Sequence, residues 1–185
     1  AIARLASALP AAIVEFLEFF PNDYSQRIIS ILSNGKVFKT IPWYQSSEIT
    51  SSDGLEISLN PSIAATVTDG GAETGTNARK CFVLSGNNQI QVIAGDGNTR
   101  RNISKPAVEW PTPTNTPTTG NYPSGAFIAG GSLCVFGCRN SPHTLFVSNP
   151  NDHEDFTTNG AVQAISVFPG DGDKIVDGFM FKGRP

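Results

Sequence analysis

The fold class is decided by one stretch, Arg27-Ile28-Ile29-Ser30-Ile31-Leu32-Ser33-Asn34-Gly35-Lys36-Val37-Phe38-Lys39-Thr40-Ile41. Two runs rich in β-branched and other apolar residues, 27–32 and 36–41, are separated by Ser33-Asn34-Gly35. Asn-Gly between such runs is the strongest short-range hairpin signal, because both residues tolerate a positive φ. The stretch therefore predicts a β-hairpin.

The same strand-turn-strand pattern returns twice along the chain. Residues 81–84 and 89–94 flank a Ser-Gly-Asn-Asn turn, and residues 133–136 and 143–148 flank a turn through 139–142. The first strand of each pair ends at Leu32, Leu84 or Phe136, and the spacing is 52 residues both times. A period near 50 residues with three or four short strands per unit is typical of propeller blades, although a β-meander can produce two matched spacings by chance.

We therefore expect an all-β protein with about three propeller-like blades of antiparallel meander sheet, the last incomplete. The expected units are residues 1–60, 61–120 and 121–185. In the first unit, the run 13–20 is ambiguous between strand and helix, since Glu15 and Glu18 are spaced i, i+3. The second unit ends in a Pro/Thr-rich stretch, residues 110–120, which is either a long loop between blades or an interdomain linker.

Composition narrows the function classes. Charged residues make up 16% of the chain, against about 25% in an average globular protein, so charge-driven disorder is excluded. The net charge of -3 gives no reason to expect a nucleic-acid-binding surface, and no apolar run approaches the ~20 residues of a membrane helix. Three cysteines are too few for a disulfide scaffold and indicate free thiols from a reducing cytoplasm. The chain starts without Met and stops after an apolar run, which we interpret as a fragment of a longer protein.

The densest polar cluster is Asp152-His153-Glu154-Asp155, and carboxylates beside a histidine are the groups that acid-base catalysis uses. The cluster follows Ser148-Asn149-Pro150-Asn151, a run of turn-forming residues. Exposed carboxylates in a turn titrate near their ordinary pKa values and make poor catalysts. The sequence therefore predicts an exposed turn here without a catalytic role.

Two further groups invite a metal-site interpretation. Cys134, Cys138 and His143 lack the paired spacing of a zinc site, and Cys134 fits the alternation of a strand. Gly95-Asp96-Gly97-Asn98 and Gly170-Asp171-Gly172-Asp173 lack the alternating acids of a calcium loop, and both follow β runs, which favours hairpin turns. We therefore assign no catalytic, cofactor-binding or metal-binding residue, and we expect no cofactor and no enzymatic activity.

A resemblance to a known family rests on phrases that occur in order between residues 79 and 185. These are Asn88-Gln89-Ile90-Gln91-Val92, Gly95-Asp96-Gly97-Asn98-Thr99, Ile103-Ser104-Lys105-Pro106, Glu109-Trp110-Pro111, Gly131-Ser132-Leu133-Cys134-Val135-Phe136, Thr144-Leu145-Phe146-Val147-Ser148-Asn149-Pro150-Asn151-Asp152-His153-Glu154-Asp155-Phe156 and Gly172-Asp173-Lys174-Ile175-Val176-Asp177-Gly178-Phe179-Met180-Phe181-Lys182-Gly183-Arg184. Together they resemble the β-propeller segments of tailed-bacteriophage tail proteins of the nozzle, hub and packaged-DNA stabilisation types. Residues 138–143 and 1–60 depart from the family pattern.

The resemblance implies a structural virion component, made in the host cytoplasm, that forms a homo-oligomeric ring around the DNA channel. Such a protein acts by contact with other tail proteins during assembly, and DNA passes through it without specific binding or a membrane partner. The polar segments 69–79 and 111–122 are the candidate contact loops. The alternative from another class is a secreted carbohydrate-binding or carbohydrate-active β-propeller protein, for which Asn102-Ile103-Ser104 would be a glycosylation site.

Overall fold

The structure is a computed structural model that describes residues 9–41, 45–52, 57, 59, 66–72, 79–95, 97–110, 121–150, 152–157, 163–167, 170 and 172–179. These residues form strands and turns without a helix, so the prediction of an all-β protein is confirmed. It follows that no helix of this part of the chain is long and apolar enough to cross a membrane.

The strands belong to three sheets. The first sheet has the order β1-β2-β3-β4, the second β5-β9-β8-β7-β6, and the third β10-β11-β12-β13. Their bounds are β1 Ile13–Phe19, β2 Arg27–Leu32, β3 Val37–Thr40, β4 Ser46–Glu48, β5 Thr50–Ser51, β6 Thr66–Ala72, β7 Arg79–Leu84, β8 Gln91–Ala94, β9 Thr99–Asn102, β10 Gly125–Ala129, β11 Ser132–Phe136, β12 Thr144–Val147 and β13 Gln163–Ser166.

The stretch that predicted the first hairpin forms β2 and β3, which pair antiparallel from Ile28↔Thr40 to Ile31↔Val37. Its turn contains Gly35 at φ 81°, while Asn34 does not have a positive φ. A Cβ on Gly35 would also collide with the carbonyl oxygen of Ile57, so glycine is required there for two reasons. The ambiguous run before this hairpin is the strand β1, which settles the choice between strand and helix.

The 52-residue spacing corresponds to equivalent places in the three sheets. Leu32, Leu84 and Phe136 each end the second strand of a four-stranded antiparallel meander, namely β2, β7 and β11. Each pairs with the first residue of the preceding strand. All three are buried, so their predicted equivalence is confirmed. The third sheet contains four strands, although the sequence indicated that its unit was incomplete.

The second sheet lies between the other two. Cys81, Val83 and Ile93 share a core cluster with the first sheet, which contributes residues including Phe19, Ile29, Ile31 and Val37. Alternate residues of the same strands, Phe82, Leu84 and Val92, share a second cluster with the third sheet, which contributes Leu133, Val135 and Phe146. Because successive side chains of a strand point to opposite faces, the first and third sheets cover opposite faces of the second.

Two features of the sheets differ from the predicted antiparallel meanders. β5 pairs with β9 in the parallel direction, through Thr50↔Thr99 and Ser51↔Arg100, so the second sheet is mixed. Residues 69–72 belong to β6 and Arg79 begins β7, so the predicted loop 69–79 is in part strand, and residues 73–78 lie outside the described residues. The contact loop proposed at 111–122 is described only at residues 121 and 122.

Candidate functional site

Among the residues that the structure describes, the most concentrated group of buried charges lies where the second sheet meets the third. Glu154, on the turn that follows β12, is only 3% exposed. Its two carboxylate oxygens accept hydrogen bonds from the guanidinium of Arg101, at 2.6 and 2.8 Å. Lys80 places its Nζ 2.9 Å from Oε1, and the backbone N–H of Ser104 donates to Oε2 at 3.1 Å. We call Glu154, Lys80 and Arg101 the junction cluster.

These contacts set the charge state of Glu154. Burial by itself raises the pKa of a carboxyl group, because it penalises the charged form. The hydrogen bonds and positive charges of Arg101 and Lys80 outweigh that effect and lower the pKa of Glu154 from 4.5 to about 2. The carboxylate therefore carries no proton at neutral pH, and it has no proton to give to a substrate.

A second set of contacts extends the junction cluster. Lys105 places its Nζ 3.0 Å from Asp155 and 3.3 Å from Asp152, and these carboxylates raise the pKa of the Lys105 ammonium group. The backbone follows the same path, since Lys105 forms a parallel bridge with Asp155 and its carbonyl accepts a 2.9 Å hydrogen bond from Phe156 N–H. Side chains and backbone thus connect the two sheets at the same place.

The acidic residues also fold the turn that carries them. Asp152 Oδ1 accepts the N–H of Glu154 at 3.0 Å, and Asp155 Oδ1 accepts the N–H of Thr157 at 2.9 Å. The ring of His153 contacts Gly131 through a 2.8 Å hydrogen bond between Nε2 and the carbonyl oxygen. It also packs edge-on against Phe82, with ring centroids 6.3 Å apart. Asp152, His153, Asp155 and Thr157 therefore each have a defined structural contact.

The prediction of an exposed turn at residues 152–155 is wrong. His153, Glu154 and Asp155 are buried, and the pKa of Glu154 departs far from its ordinary value. Sequence reasoning located the acidic residues but missed their partners Lys80, Arg101 and Lys105, which lie 74, 53 and 50 residues earlier in the chain than the carboxylates they contact. The one available signal was the position of Lys80 inside an apolar strand, next to Cys81-Phe82-Val83-Leu84.

The first and second sheets are connected by a different arrangement. Arg100 of β9 is buried, and its NH1 donates to Gln91 Oε1 at 2.8 Å while its Nε donates to the carbonyl of Ile49 at 3.3 Å. Its own carbonyl accepts the N–H of Ser52 at 2.8 Å. A buried guanidinium whose donors are used in this way fixes the segment 49–52 against the second sheet.

The residues considered as metal ligands are placed as follows. Cys134 and Cys138 are buried thiols, and burial raises their pKa values to about 11 and about 12. His143 is partly exposed and its carbonyl accepts a hydrogen bond from Val167 N–H at 2.8 Å. Among the residues that the structure describes, no three His, Cys, Asp or Glu side chains are grouped so that they could hold a metal ion.

The two glycine-aspartate segments differ in structure. Gly95 and Gly97 have positive φ angles in the turn between the antiparallel strands β8 and β9, which confirms the predicted hairpin. Gly170 and Gly172 also have positive φ, but the described residues after them, 172–179, form no strand, so a hairpin was wrongly predicted there. Asp96 and Asp171 lie outside the described residues.

Comparisons with protein-family models, with curated proteins and with solved structures found no match to this chain. What the arrangement can do is therefore argued from its geometry. The junction cluster places opposite charges at hydrogen-bond distance between two sheets, with each ion pair largely shielded from water on the Glu154 side. Such a cluster fixes the relative position of the two sheets, because its charged groups form ion pairs and hydrogen bonds with one another.

Proposed function

We propose that the protein is a structural component of a bacteriophage tail, part of a nozzle or hub ring around the DNA channel, and that it acts by protein-protein contact. The observation that carries the proposal concerns residues 144–156, the longest of the phrases on which the resemblance to that family rests. In this protein the phrase forms β12 and the turn that holds Asp152, Glu154 and Asp155 at the junction of two sheets. A phrase whose polar residues serve a joint between sheets is consistent with a structural role.

The arrangement of the sheets supports the more specific proposal that they are propeller-like blades. Three four-stranded meanders repeat in order, and the first strand of the second, β6, lies beside the first strands of the other two, β1 and β10. Neighbouring first strands are what blades around a common axis would place together. The mild acidity of the chain suits a channel, because an array of Lys and Arg would hold the phosphates of passing DNA.

The proposal is tested by isolating the protein from infected cells. We expect it to co-purify with portal or tail proteins and to be present in purified particles. Recovery of the protein as a secreted monomer that binds or cleaves a glycan would contradict the proposal and support the alternative of a secreted propeller.

A deletion separates assembly from folding. Removing residues 112–119, a Pro/Thr-rich segment, should impair particle assembly and infectivity more than the circular dichroism or thermal midpoint of the isolated protein, since a segment of that composition contributes little to a core. Normal infectious particles from the deletion variant would show that this segment is not a contact.

A further inference from the structure

The turn of the first hairpin contains a chemically reactive pair of residues, Asn34-Gly35. The side-chain amide of an asparagine can be attacked by the main-chain nitrogen of the residue that follows it. A following glycine makes this attack easiest, because glycine has no Cβ to obstruct the approach. Asparagine is one of the thermolabile residues of proteins. The pair is therefore a candidate site of chemical modification.

The reaction needs no other molecule than water. The nitrogen of Gly35 forms a bond to Cγ of Asn34 while the bond from Cγ to Nδ2 breaks, and Nδ2 leaves as ammonia with the proton of the Gly35 N–H. Water then opens the resulting five-membered imide on one of its two sides. Opening at Cγ leaves an aspartate. Opening at the main-chain carbonyl leaves an isoaspartate, in which the backbone runs through the side chain and contains one additional atom.

The folded turn holds both reacting groups in other hydrogen bonds. The Gly35 N–H donates to the carbonyl of Leu32 at 2.9 Å. Oδ1 of Asn34 accepts the N–H of Lys36 at 3.2 Å, which directs the side-chain amide toward residue 36. Ring closure needs the attacking nitrogen and Cγ in direct and aligned contact. We therefore expect the reaction to occur only when the turn opens and both hydrogen bonds break.

Gly35 is also fixed from outside the turn. It is buried, its carbonyl accepts the N–H of Ile57 at 2.9 Å, and a Cβ on it would collide with the Ile57 carbonyl oxygen. The Leu32 N–H donates to the Lys36 carbonyl at 2.9 Å, which continues the pairing of β2 with β3 into the turn. An additional main-chain atom between residues 34 and 35 would displace Gly35 from Ile57 or break these hydrogen bonds.

We propose that Asn34-Gly35 is a modification site that the folded protein protects and the unfolded chain exposes. We further infer that isoaspartate formed at position 34 prevents the first hairpin from forming again. The site then records the time that a chain has spent unfolded, because its isoaspartate product cannot return to the native state. The inference concerns the chemical durability of the chain and does not depend on the proposed function.

The position of Asn34 supplies two matched variants. Asn34 does not have a positive φ, and an aspartate there could accept the same hydrogen bond from the Lys36 N–H with a carboxylate oxygen. The Asn34→Asp variant therefore has the charge of the reaction product on a normal main chain, and we expect it to fold. The Asn34→Gln variant retains an amide, but its ring closure would form a six-membered ring, so we expect much slower conversion in the unfolded chain.

The first test compares the native and the unfolded wild-type chain. Both are incubated at pH 8, one in buffer and one in guanidinium chloride, and samples are digested with trypsin under mildly acidic conditions. The tryptic peptide 28–36 reports the state of Asn34 by its mass and by chromatographic separation of the two products. We expect conversion to be at least about tenfold slower in the native protein, which reacts only through its locally opened fraction. A second Asn-Gly pair, 159–160, lies outside the described residues and is an internal reference in guanidinium chloride.

The second test determines whether the products refold. Wild-type chain that has been partly converted in guanidinium chloride is diluted into buffer, and folded protein is separated from the rest by size-exclusion chromatography. We expect the folded fraction to retain aspartate at position 34 and to lose isoaspartate. The aspartate arises in the same reaction and is therefore the control. The Asn34→Asp variant should likewise recover the circular dichroism spectrum and the thermal midpoint of the wild type.

Four results would overturn this inference. Equal rates of conversion in the native and unfolded chains would show that the turn does not protect Asn34. Equal proportions of isoaspartate and aspartate in the folded fraction would show that the hairpin tolerates the additional main-chain atom. An Asn34→Asp variant that does not fold would attribute the loss to the added charge. An unfolded Asn34→Gln variant that converts as fast as wild type would contradict attack by Gly35 through a five-membered ring.

Discussion

Replacing Glu154 with glutamine removes the negative charge that faces Lys80 and Arg101, while the shape of the side chain changes little. The Lys80 side chain is 10% exposed and that of Arg101 is 44% exposed, so water can solvate the guanidinium but hardly the ammonium group. Breaking a buried ion pair by removing one partner costs about 3–5 kcal/mol, because the other charge stays buried without compensation. We therefore expect the Glu154→Gln variant to lose about 3 kcal/mol of its free energy of unfolding.

The lowered pKa of Glu154, which has the same contacts with Arg101 and Lys80 as its cause, gives a similar magnitude. The folded state lowers this pKa from 4.5 to about 2, so the carboxylate stabilises the fold at pH values above 4.5. At about 1.4 kcal/mol for each tenfold change in proton affinity, the contribution is about 3 kcal/mol. It is lost progressively as the pH falls from 4.5 toward 2. The glutamine variant should lack this part of the acid dependence.

The assay is urea unfolding of both proteins at pH 7, followed by a pH series down to 2.5, with the free energy of unfolding taken from the transition midpoint and slope. Glu48→Gln is the matched control, because it removes the same charge from an ion pair with Lys36 whose side chains are 30% and 37% exposed. Such a pair is worth at most about 1 kcal/mol. Equal losses in the two variants, or an unchanged acid dependence in Glu154→Gln, would refute the role assigned to the junction cluster.

Truncating Phe136 to alanine should cost about 3–5 kcal/mol in the same unfolding assay, because its buried ring fills the space over Gly125 of the neighbouring strand. A loss under 1 kcal/mol would contradict this packing. EDTA should leave the thermal midpoint unchanged, and stoichiometric zinc in elemental analysis would show that Cys134 and Cys138 bind metal after all. These two thiols, with pKa values of about 11 and about 12, should react with iodoacetamide at pH 8 only after unfolding, and rapid labelling of the native protein would disprove their burial.

Local patterns predicted the strands β2, β3, β7, β8, β11 and β12 because the information for these hairpins is local. The Asn34-Gly35 turn, the apolar run 81–84 and the turn between β8 and β9 each depend on neighbours within a few residues. The spacing of Leu32, Leu84 and Phe136 extended this to equivalent positions in three sheets.

The same spacing did not predict which faces meet. Ile31, Val83 and Val135 occupy equivalent positions, and Ile31 and Val83 share one core cluster. Val135 belongs to the other cluster, where it joins Leu84 from the opposite face of the second sheet. In a regular propeller, the same face of each blade packs on the opposite face of the next blade. The first two sheets do not pack in this way, because Ile31 and Val83 meet from equivalent faces. The positions of the strands in the sequence do not determine which faces meet.

The junction cluster could not be predicted from the sequence for a related reason. Turn-forming residues around Asp152 predict a turn correctly, but burial of that turn depends on Lys80 and Arg101 in other strands. Whether a carboxylate is exposed or paired is a property of the packed sheets. Residue type and local pattern therefore located the acidic turn and gave the wrong environment for it.

The parallel contacts between units have a consequence for synthesis on the ribosome. Thr50 pairs with Thr99, and Lys105 pairs with Asp155, so each contact waits for about 50 further residues to be translated. At about 5–20 residues per second this delay is roughly 3–10 s. During that time the segment 49–52 has no β9 to pair with. We therefore expect protease to cleave nascent chains that end before residue 99 within residues 49–52. Chains arrested well beyond residue 155 should be protected at both places.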